Sequence, residues 1–328
     1  MQKTDDELIK LYSDYLKNKN ANRCRVYIGL LKTYVEFLHS HDLSILTIDH
    51  KDVTQYKYWL LDKGYKTRTI NSHLTAIRGL YSFIRISGIC EHTPERCIHN
   101  FQQRDKTPRK SLSFEQVRAL VEQKPAKDAS ERELRNYAIL CLMVGTGLRV
   151  IEAHRANIGD IVQENDKTVL YVQLKGHTEK DHKLELSGEV LEPIRRYLDI
   201  RGCFDSEAPL FTNDSNNGKG ERLSTVSISR TIKDALKAQG IDDPAITAHS
   251  LRHTVITYAL ANNAGLLNTQ QFVGHASPNS TMYYSHELSN YNSFKAKCNA
   301  AKRIVDFLFD DKTPSRITAL KHSTTRIY

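Results

Sequence analysis

Apolar residues recur at three- and four-residue spacing through the first hundred positions of this 328-residue chain, the spacing of a helix with one buried face. Leu8, Ile9, Tyr12, Tyr15 and Leu16 form one such stripe, and Val26, Tyr27, Leu30, Leu31, Tyr34, Val35 and Leu38 a longer one. A third helix is expected to begin after Asp49, whose carboxylate suits an N-cap, and to stop at Gly64, a residue type that favours the turn past a helix end. A fourth spans about 67–86, with Ile70, Leu74, Ile77, Tyr81 and Ile84 facing inward. Four amphipathic helices joined by short loops predict a compact all-helical unit over residues 1–103.

Residues 104–110, RDKTPRK, break the pattern. They are polar, contain a proline and carry four positive charges, Arg104, Lys106, Arg109 and Lys110. A linker is expected, and its charges suit either a phosphate backbone or plain solvent. Beyond it, Ser113 stands three residues before Gln116 at the head of a capped helix, and an apolar helix over 135–144 ends at Gly145-Thr146-Gly147. Two alternating stretches follow, VLYVQL (169–174) and HKLEL (182–186). They predict a β-hairpin with Lys175 and Gly176 at its turn. Helices return at 188–201, about 225–239 and about 249–262, while SNNGKGE (215–221) reads as an exposed loop. The expected fold class is mainly α (α+β): a four-helix N-terminal domain, then a mostly helical domain over 111–290 with a small antiparallel β-sheet, and a tail over 291–328.

Length and composition narrow the class. A chain of this size exceeds one ordinary core, so two domains are expected. Hydrophobic residues at 40% and charged residues at 26% fit a soluble globular protein. No apolar run approaches the roughly 18 residues of a membrane span, and the first residues are polar and acidic, so a cytoplasmic, nucleoid-associated protein is expected. Six cysteines (Cys24, Cys90, Cys97, Cys141, Cys203, Cys298) are scattered without C-x-x-C or zinc spacing, which predicts reduced thiols and no metal site. The 47 Lys and Arg against 38 Asp and Glu leave a net charge of +9, which suits a polyanionic partner without proving one.

Three segments concentrate the chemistry. GTGLRVIEAHR sets Arg149 after a glycine-rich turn with Glu152 three residues on; AHSLRHTVITYAL sets His249 and Arg252 on one helical face; FVGHASPNSTMYYSHEL sets His275 nine residues before Tyr284. Each alone is weak, because arginines on helices are mostly surface residues and H-x-x-R arises by chance. Together and in this order they resemble the tyrosine recombinase (phage integrase) family. Its signature is an Arg in T-G-L-R-x-x-E, a Lys in a β-hairpin turn, H-x-L-R-H, and G-H followed nine residues later by Tyr. The matching positions are Arg149, Lys175, His249 with Arg252, His275 and Tyr284. The resemblance covers about 111–290, and the N-terminal unit is similar to the family's core-binding (SAM-like) domain in size and placement.

The residue types fit the chemistry that the resemblance implies. Breaking a phosphodiester without hydrolysis needs a nucleophile, positive charge on the non-bridging oxygens and an acid for the leaving oxygen. Tyr284 supplies a phenol that needs activation at its ordinary pKa of about 10. Arg149 and Arg252 supply planar forks matched to phosphate, and His249 can take the phenolic proton. In the family the hairpin lysine, here Lys175, is the acid for the departing 5′-oxygen. His275 is expected to hold a phosphate oxygen or orient the tyrosine, Glu152 to buttress Arg149, and His253 to be structural. The products are a 3′-phosphotyrosine and a free 5′-hydroxyl. No cofactor, metal or ATP is expected: the bond energy is kept, and no acidic cluster suits two Mg²⁺ ions. Tyr283 is the rival nucleophile, set aside on spacing and on the following Ser285-His286, and Lys180 and Lys183 are the rival acids.

The resemblance also sets the second and fourth helices in the DNA major groove, making Thr69, Asn71, Ser72 and Arg78 candidate contacts beside Arg104, Lys106, Arg109 and Lys110; a plain polar helix face is the other reading. In relatives a C-terminal helix docks in the neighbouring protomer and links four subunits on two DNA sites. Residues 299–309, amphipathic around Ile304, Val305, Phe307, Leu308 and Phe309, are expected to do the same, with docking in cis the alternative. The partner expected is double-stranded DNA with an inverted-repeat recombination site. A start directly in the core-binding unit implies no arm-binding domain and favours a simple Xer-like enzyme acting in integration, excision, inversion or resolution. Two alternatives are a type IB topoisomerase-like activity and a catalytically silent architectural DNA-binding protein. The competent residue at every catalytic position argues against the second.

Overall fold

The computed structural model describes residues 3–19, 21–91, 94, 98–102, 110–215, 218–262 and 264–274. Backbone packing divides the chain into two compact units, with the division between Thr107 and Pro108. The first unit holds α1 (Asp5–Lys19), α2 (Ala21–His39), α3 (His50–Asp62) and α4 (Thr67–Ile86). Asp49 caps α3: its carboxylate accepts the Lys51 and Asp52 amides, and Asp52 in turn accepts the Asp49 amide at 2.8 Å. Gly64, at φ +79°, turns the chain away. All five positions expected to face inward on α4 are buried. Val26 is not: it is 54% exposed, because five residues before Leu31 on a helix is roughly 140° round from the buried stripe. Tyr12, Tyr34, Phe37, Tyr56 and Tyr81 stand among the mostly aliphatic residues of this unit's core. The Tyr34 and Tyr81 hydroxyls share a hydrogen bond at 2.9 Å, and Tyr56 packs edge-on against Tyr34.

The second unit runs α5 (Phe114–Glu122), α6 (Glu131–Thr146), α7 (Val150–Arg155), β1 (Ile161–Glu164), β2 (Lys167–Val172), β3 (His182–Leu186), α8 (Gly188–Arg201), α9 (Thr225–Ala238), α10 (Ala248–Ala261) and α11 (Leu266–Val273). Helix α6 is its axis: every residue from Ala138 to Thr146 is buried, and α8, α9 and α10 pack around it. Ser130 caps it and Gly147 ends it at φ +66°, where a Cβ would meet the Val255 side chain of α10 at 3.2 Å. The strands form an antiparallel sheet in the order β1-β2-β3, and Leu170 and Leu184 are paired and turned to the core. The hairpin and the helices α5, α6, α8, α9 and α10 lie within a few residues of where the hydrophobic pattern places them.

Besides a 3₁₀ turn over Ile158–Asp160, three elements were not expected from the pattern. Strand β1 is a four-residue edge with no buried residue, so it shows little apolar alternation. Helices α7 and α11 have six and eight residues, too few turns to establish a helical period. Among the described residues, no helix is long and apolar enough to cross a membrane.

Candidate active site

The site is built around one carboxylate. Arg149 is the N-cap of α7, and Glu152 sits in the first turn of the same helix. The Arg149 amide donates to Glu152 Oε2 at 2.8 Å, and its Nη1 donates to Oε1 at 2.6 Å. Glu152 is fully buried while the Arg149 side chain remains 23% exposed. Glu152 therefore holds both the main chain of the arginine and one nitrogen of its fork, and the side chain stays partly open to solvent. Two further catalytic candidates reach the same carboxylate. The Lys175 amide donates to Glu152 Oε1 at 3.3 Å, and Arg252 Nη1 lies 3.9 Å from Oε2.

Arg252 comes from α10 and is 2% exposed. Its guanidinium donates to the Gly147 carbonyl at 2.9 Å through Nη1 and to the Val273 carbonyl at 2.5 Å through Nη2. A buried cation is tolerated only where charge and hydrogen bonds compensate its lost hydration, and these bonds also fix the plane of the fork. The Gly147 carbonyl that orients Arg252 belongs to the turn that delivers Arg149. One backbone feature thus serves both arginines.

Lys175 lies at the first residue of the turn after β2. Gly176 follows at φ +98°, the His177 amide closes onto the Leu174 carbonyl at 3.1 Å, and Gln173 Nε2 donates to the carbonyls of His177 and Thr178. The Lys175 side chain is exposed, and among the described residues its ammonium has no hydrogen-bond partner. The two rival lysines are differently placed. Lys180 pairs with Asp160 at 2.6 Å, and Lys183 pairs with Glu164 at 2.9 Å. Tyr171 and Glu164 together hold the Lys183 ammonium above its ordinary value.

His249 is exposed in the first turn of α10, three residues before Arg252. Its ring meets the buried ring of His253 edge to face, centroids 4.6 Å apart. His275, Tyr283, Tyr284 and the whole 299–309 segment lie outside the described residues. The last described residue is Gly274, at φ +62°, with the Leu174 side chain packed against the face where a Cβ would stand.

The DNA-contact candidates of the first unit divide into two kinds. Asn71 donates to the Phe101 carbonyl at 3.0 Å and accepts the Phe101 amide at 2.8 Å. Arg78 donates to the Ile98 carbonyl at 3.0 Å and to Thr75. Both residues hold the 98–101 segment against α4. Thr69 is half-buried, whereas Ser72 is exposed and donates only to the Arg68 carbonyl one turn back. Arg68, unmarked by any motif, lines a groove with Ser72, Thr75, Val26 and Tyr27. Of the linker residues, Lys110 pairs with Asp243 at 2.5 Å within the second unit; Arg104, Lys106 and Arg109 lie outside the described residues.

Comparison with known proteins finds relatives over most of the chain. The phage integrase family model matches residues 110–290, and the model of the phage integrase N-terminal SAM-like domain matches residues 9–87. The chain is 27% identical over 294 residues to tyrosine recombinase XerC of Roseiflexus castenholzii, covering 88% of this chain and 90% of the relative. It is 29% identical over 263 residues to tyrosine recombinase XerD of Oceanobacillus iheyensis, covering 78% and 84%. The fold is also that of the XerH site-specific recombinase bound to a palindromic difH substrate, with a TM-score of 0.67 at 19% identity over 87% of this chain and 81% of that one. The family match takes in more than half of the chain and every motif from Arg149 to Tyr284. The chain therefore belongs to the phage integrase family and is a tyrosine recombinase.

Proposed function

We propose that this site-specific recombinase cuts and rejoins DNA through Tyr284, with Arg149, Lys175, His249, Arg252 and His275 completing the catalytic set. The observation that carries the reading is the buried Glu152, which engages Arg149, the Lys175 backbone and Arg252 at once. Three residues separated by up to about a hundred positions are thereby referenced to one carboxylate, the kind of preorganisation that phosphoryl transfer demands.

In the forward step the Tyr284 oxygen attacks phosphorus. The new P–O bond to tyrosine forms as the P–O5′ bond breaks, giving a 3′-phosphotyrosine and a free 5′-hydroxyl. The phenolic proton passes to His249, and the departing 5′-oxygen takes a proton from Lys175. Arg149 and Arg252 neutralise the charge that builds on the non-bridging oxygens, a role worth about 10²–10³ in rate per donor. His275 holds a phosphate oxygen or orients the tyrosine. Attack of a 5′-hydroxyl on the phosphotyrosine reverses every transfer, so the chemistry draws on neither ATP nor a resident metal.

The substrate is double-stranded DNA with an inverted-repeat site. It is gripped by the α2 and α4 face of the first unit, through Thr69, Ser72 and the groove of Arg68, and by the linker charges Arg104, Lys106, Arg109 and Lys110. Four subunits act on two sites, joined by residues 299–309 of each docking in its neighbour. The net charge of +9 supports the DNA partner, and the lambda integrase tetramer bound to a Holliday junction, which shares this fold with a TM-score of 0.63, supports the assembly of four.

A nicked suicide duplex carrying the recombination site from DNA flanking the gene tests the reading. Wild type and Tyr283→Phe are expected to form a covalent protein–DNA adduct, and Tyr284→Phe to form none. Loss of the adduct in Tyr283→Phe alone would move the nucleophile by one residue. Site-specific binding without any adduct would remove the catalytic reading.

A further inference from the structure

Where helix α11 ends, its last carbonyls have no donor within the helix. Two of them are nevertheless satisfied by side chains of the catalytic unit. Arg252 of α10 takes the Val273 carbonyl, and His182 of β3 takes the Phe272 carbonyl, with Nε2 at 3.0 Å. A carbonyl only accepts, so the proton sits on Nε2 of His182. The next residue, Gly274, lies under Leu174 at the foot of the lysine turn, so close that a Cβ would stand 2.6 Å from Leu174 Cδ2. The three residues that lead into His275 are therefore pinned from two sides, by the helix that carries Arg252 and by the hairpin that carries Lys175.

His182 occupies a particular place in that hairpin. It pairs with Val172 and is the final rung of the β2–β3 ladder before the chain opens into the turn over 173–181. Lys175 is three residues beyond that rung, and among the described residues its ammonium has no partner to hold it. Its position depends on the turn that carries it, which Gln173 and the His177 amide close internally, and on what ties that turn to the rest of the unit. One such tie is the hydrogen bond from its own amide to Glu152 at 3.3 Å, which is long, and the other is whatever fixes the base of the hairpin.

We infer that His182 is a positioning residue, which registers the Lys175 hairpin against the end of α11 so that the acid on the leaving oxygen and the segment entering His275 keep a fixed separation. The inference rests on the proposed role of Lys175 as the proton donor to the 5′-oxygen. His182 touches no substrate. It acts through Lys175, and its loss is felt in leaving-group protonation rather than in DNA binding.

The experiment compares two nicked duplexes of the same recombination site, one with an ordinary scissile phosphodiester and one with sulfur in place of the bridging 5′-oxygen. A thiolate leaves without an acid, since a thiol ionises near a pKa of about 8.5. Lys175→Met is expected to cleave the oxygen duplex slowly and the sulfur duplex at close to the wild-type rate. His182→Phe, which keeps a ring but no donor, is expected to lose about 10–100-fold on the oxygen duplex, the scale of a misplaced catalytic group. It should recover to within about threefold of wild type on the sulfur duplex, and its affinity for the site, measured in parallel as a check of folding, should stay within about twofold. His182→Gln, which restores a donor near the Nε2 position, should cleave the oxygen duplex within about threefold of wild type and keeps the test open if the Phe variant does not fold. Wild-type cleavage by His182→Phe, or slow cleavage of both duplexes while Lys175→Met is rescued, would overturn the role of His182 alone. Failure of sulfur to rescue Lys175→Met would overturn the reading of Lys175 and this inference with it.

Discussion

The polar face of α4 and the candidate catalytic face of the second unit use charged and amide side chains in different ways. On α4, Asn71 and Arg78 turn their hydrogen-bonding groups onto the chain itself, at Phe101 and Ile98, and so fasten the 98–101 segment to the helix. In the second unit a buried carboxylate fastens the main chain of Arg149 and of Lys175 and one nitrogen of the Arg149 fork, while the Arg149 side chain stays partly exposed and the Lys175 side chain exposed. A polar residue on a helix face is thus a weak indicator of ligand contact until its partners are known. A charged residue whose main chain is anchored and whose head is exposed is a stronger one. Arg252 differs from both: it is buried, with its fork bonded to two carbonyls.

The largest test of that contrast is Glu152→Ala. It removes the acceptor of Arg149 and of the Lys175 amide together and leaves Arg252 buried without its nearest carboxylate. Breaking one half of a buried charge pair costs about 3–5 kcal/mol. The expected result is a large drop in thermal stability and a fall of at least about 10²-fold in adduct formation, since the placement of three of the proposed catalytic groups is lost at once. Glu152→Gln, which keeps one acceptor oxygen, should lose less on both counts. Adduct formation by the alanine variant at near wild-type rate would mean that Arg149 and Lys175 hold their positions without the carboxylate, and the contrast with α4 would dissolve.

Smaller effects are expected on the other side of the comparison. Asn71→Ala removes two hydrogen bonds to the Phe101 backbone, each worth about 0.5–1.5 kcal/mol net, so the first unit should lose about 1–3 kcal/mol in a denaturant titration. Ser72→Ala removes only a back-bond to the preceding turn and should leave stability within about 0.5 kcal/mol, as exposed substitutions usually do. In DNA binding the order should invert once the affinities are corrected for the folded fraction, with Ser72→Ala the more damaging of the two. Equal stability in both variants would show that Asn71 does not clamp the 98–101 segment.

These two regions also differ in how much the sequence disclosed. Helix α4 is legible to its ends, because twenty residues give the apolar period five turns in which to repeat and Tyr81 and Ile84 fall on the stripe begun by Ile70. The partners of its polar residues are not legible, since the Phe101 backbone that engages Asn71 lies thirty positions away and no local pattern encodes it. In the catalytic half the motifs name Arg149, His249 and Arg252 by spacing and residue type, and the turn carrying Lys175 by alternation broken at Gly176. The pairing of Lys180 with Asp160 and of Lys183 with Glu164, which sets those lysines apart from Lys175, needs the register of three strands. The edge strand among them was itself invisible. Glu152 is the instructive case: its place three residues after Arg149 predicted one partner, and the fold supplies the Lys175 amide and Arg252 as two more.

The smallest expected effect concerns Lys110, which lies at the end of the basic linker and belongs to neither pattern. Its side chain is 61% exposed and its ammonium is hydrogen-bonded to Asp243 at 2.5 Å. That bond, followed by the Ala245 amide, holds the Asp243 carboxyl below its ordinary value. An exposed pair of this kind contributes little to stability and is easily exchanged, so a phosphate can compete with Asp243 for the ammonium. If Lys110 meets DNA, each phosphate it neutralises releases a counterion, and the slope of log affinity against log salt concentration falls by about one when the lysine is removed. Lys110→Ala is therefore expected to weaken binding uniformly across DNA sequences and to lower the salt slope by about one. Asp243→Asn, which frees the ammonium, should tighten binding slightly at low salt and leave the slope unchanged. An identical slope in wild type and Lys110→Ala would assign the lysine to Asp243 alone, on the structural side of the contrast with Asn71 and Arg78.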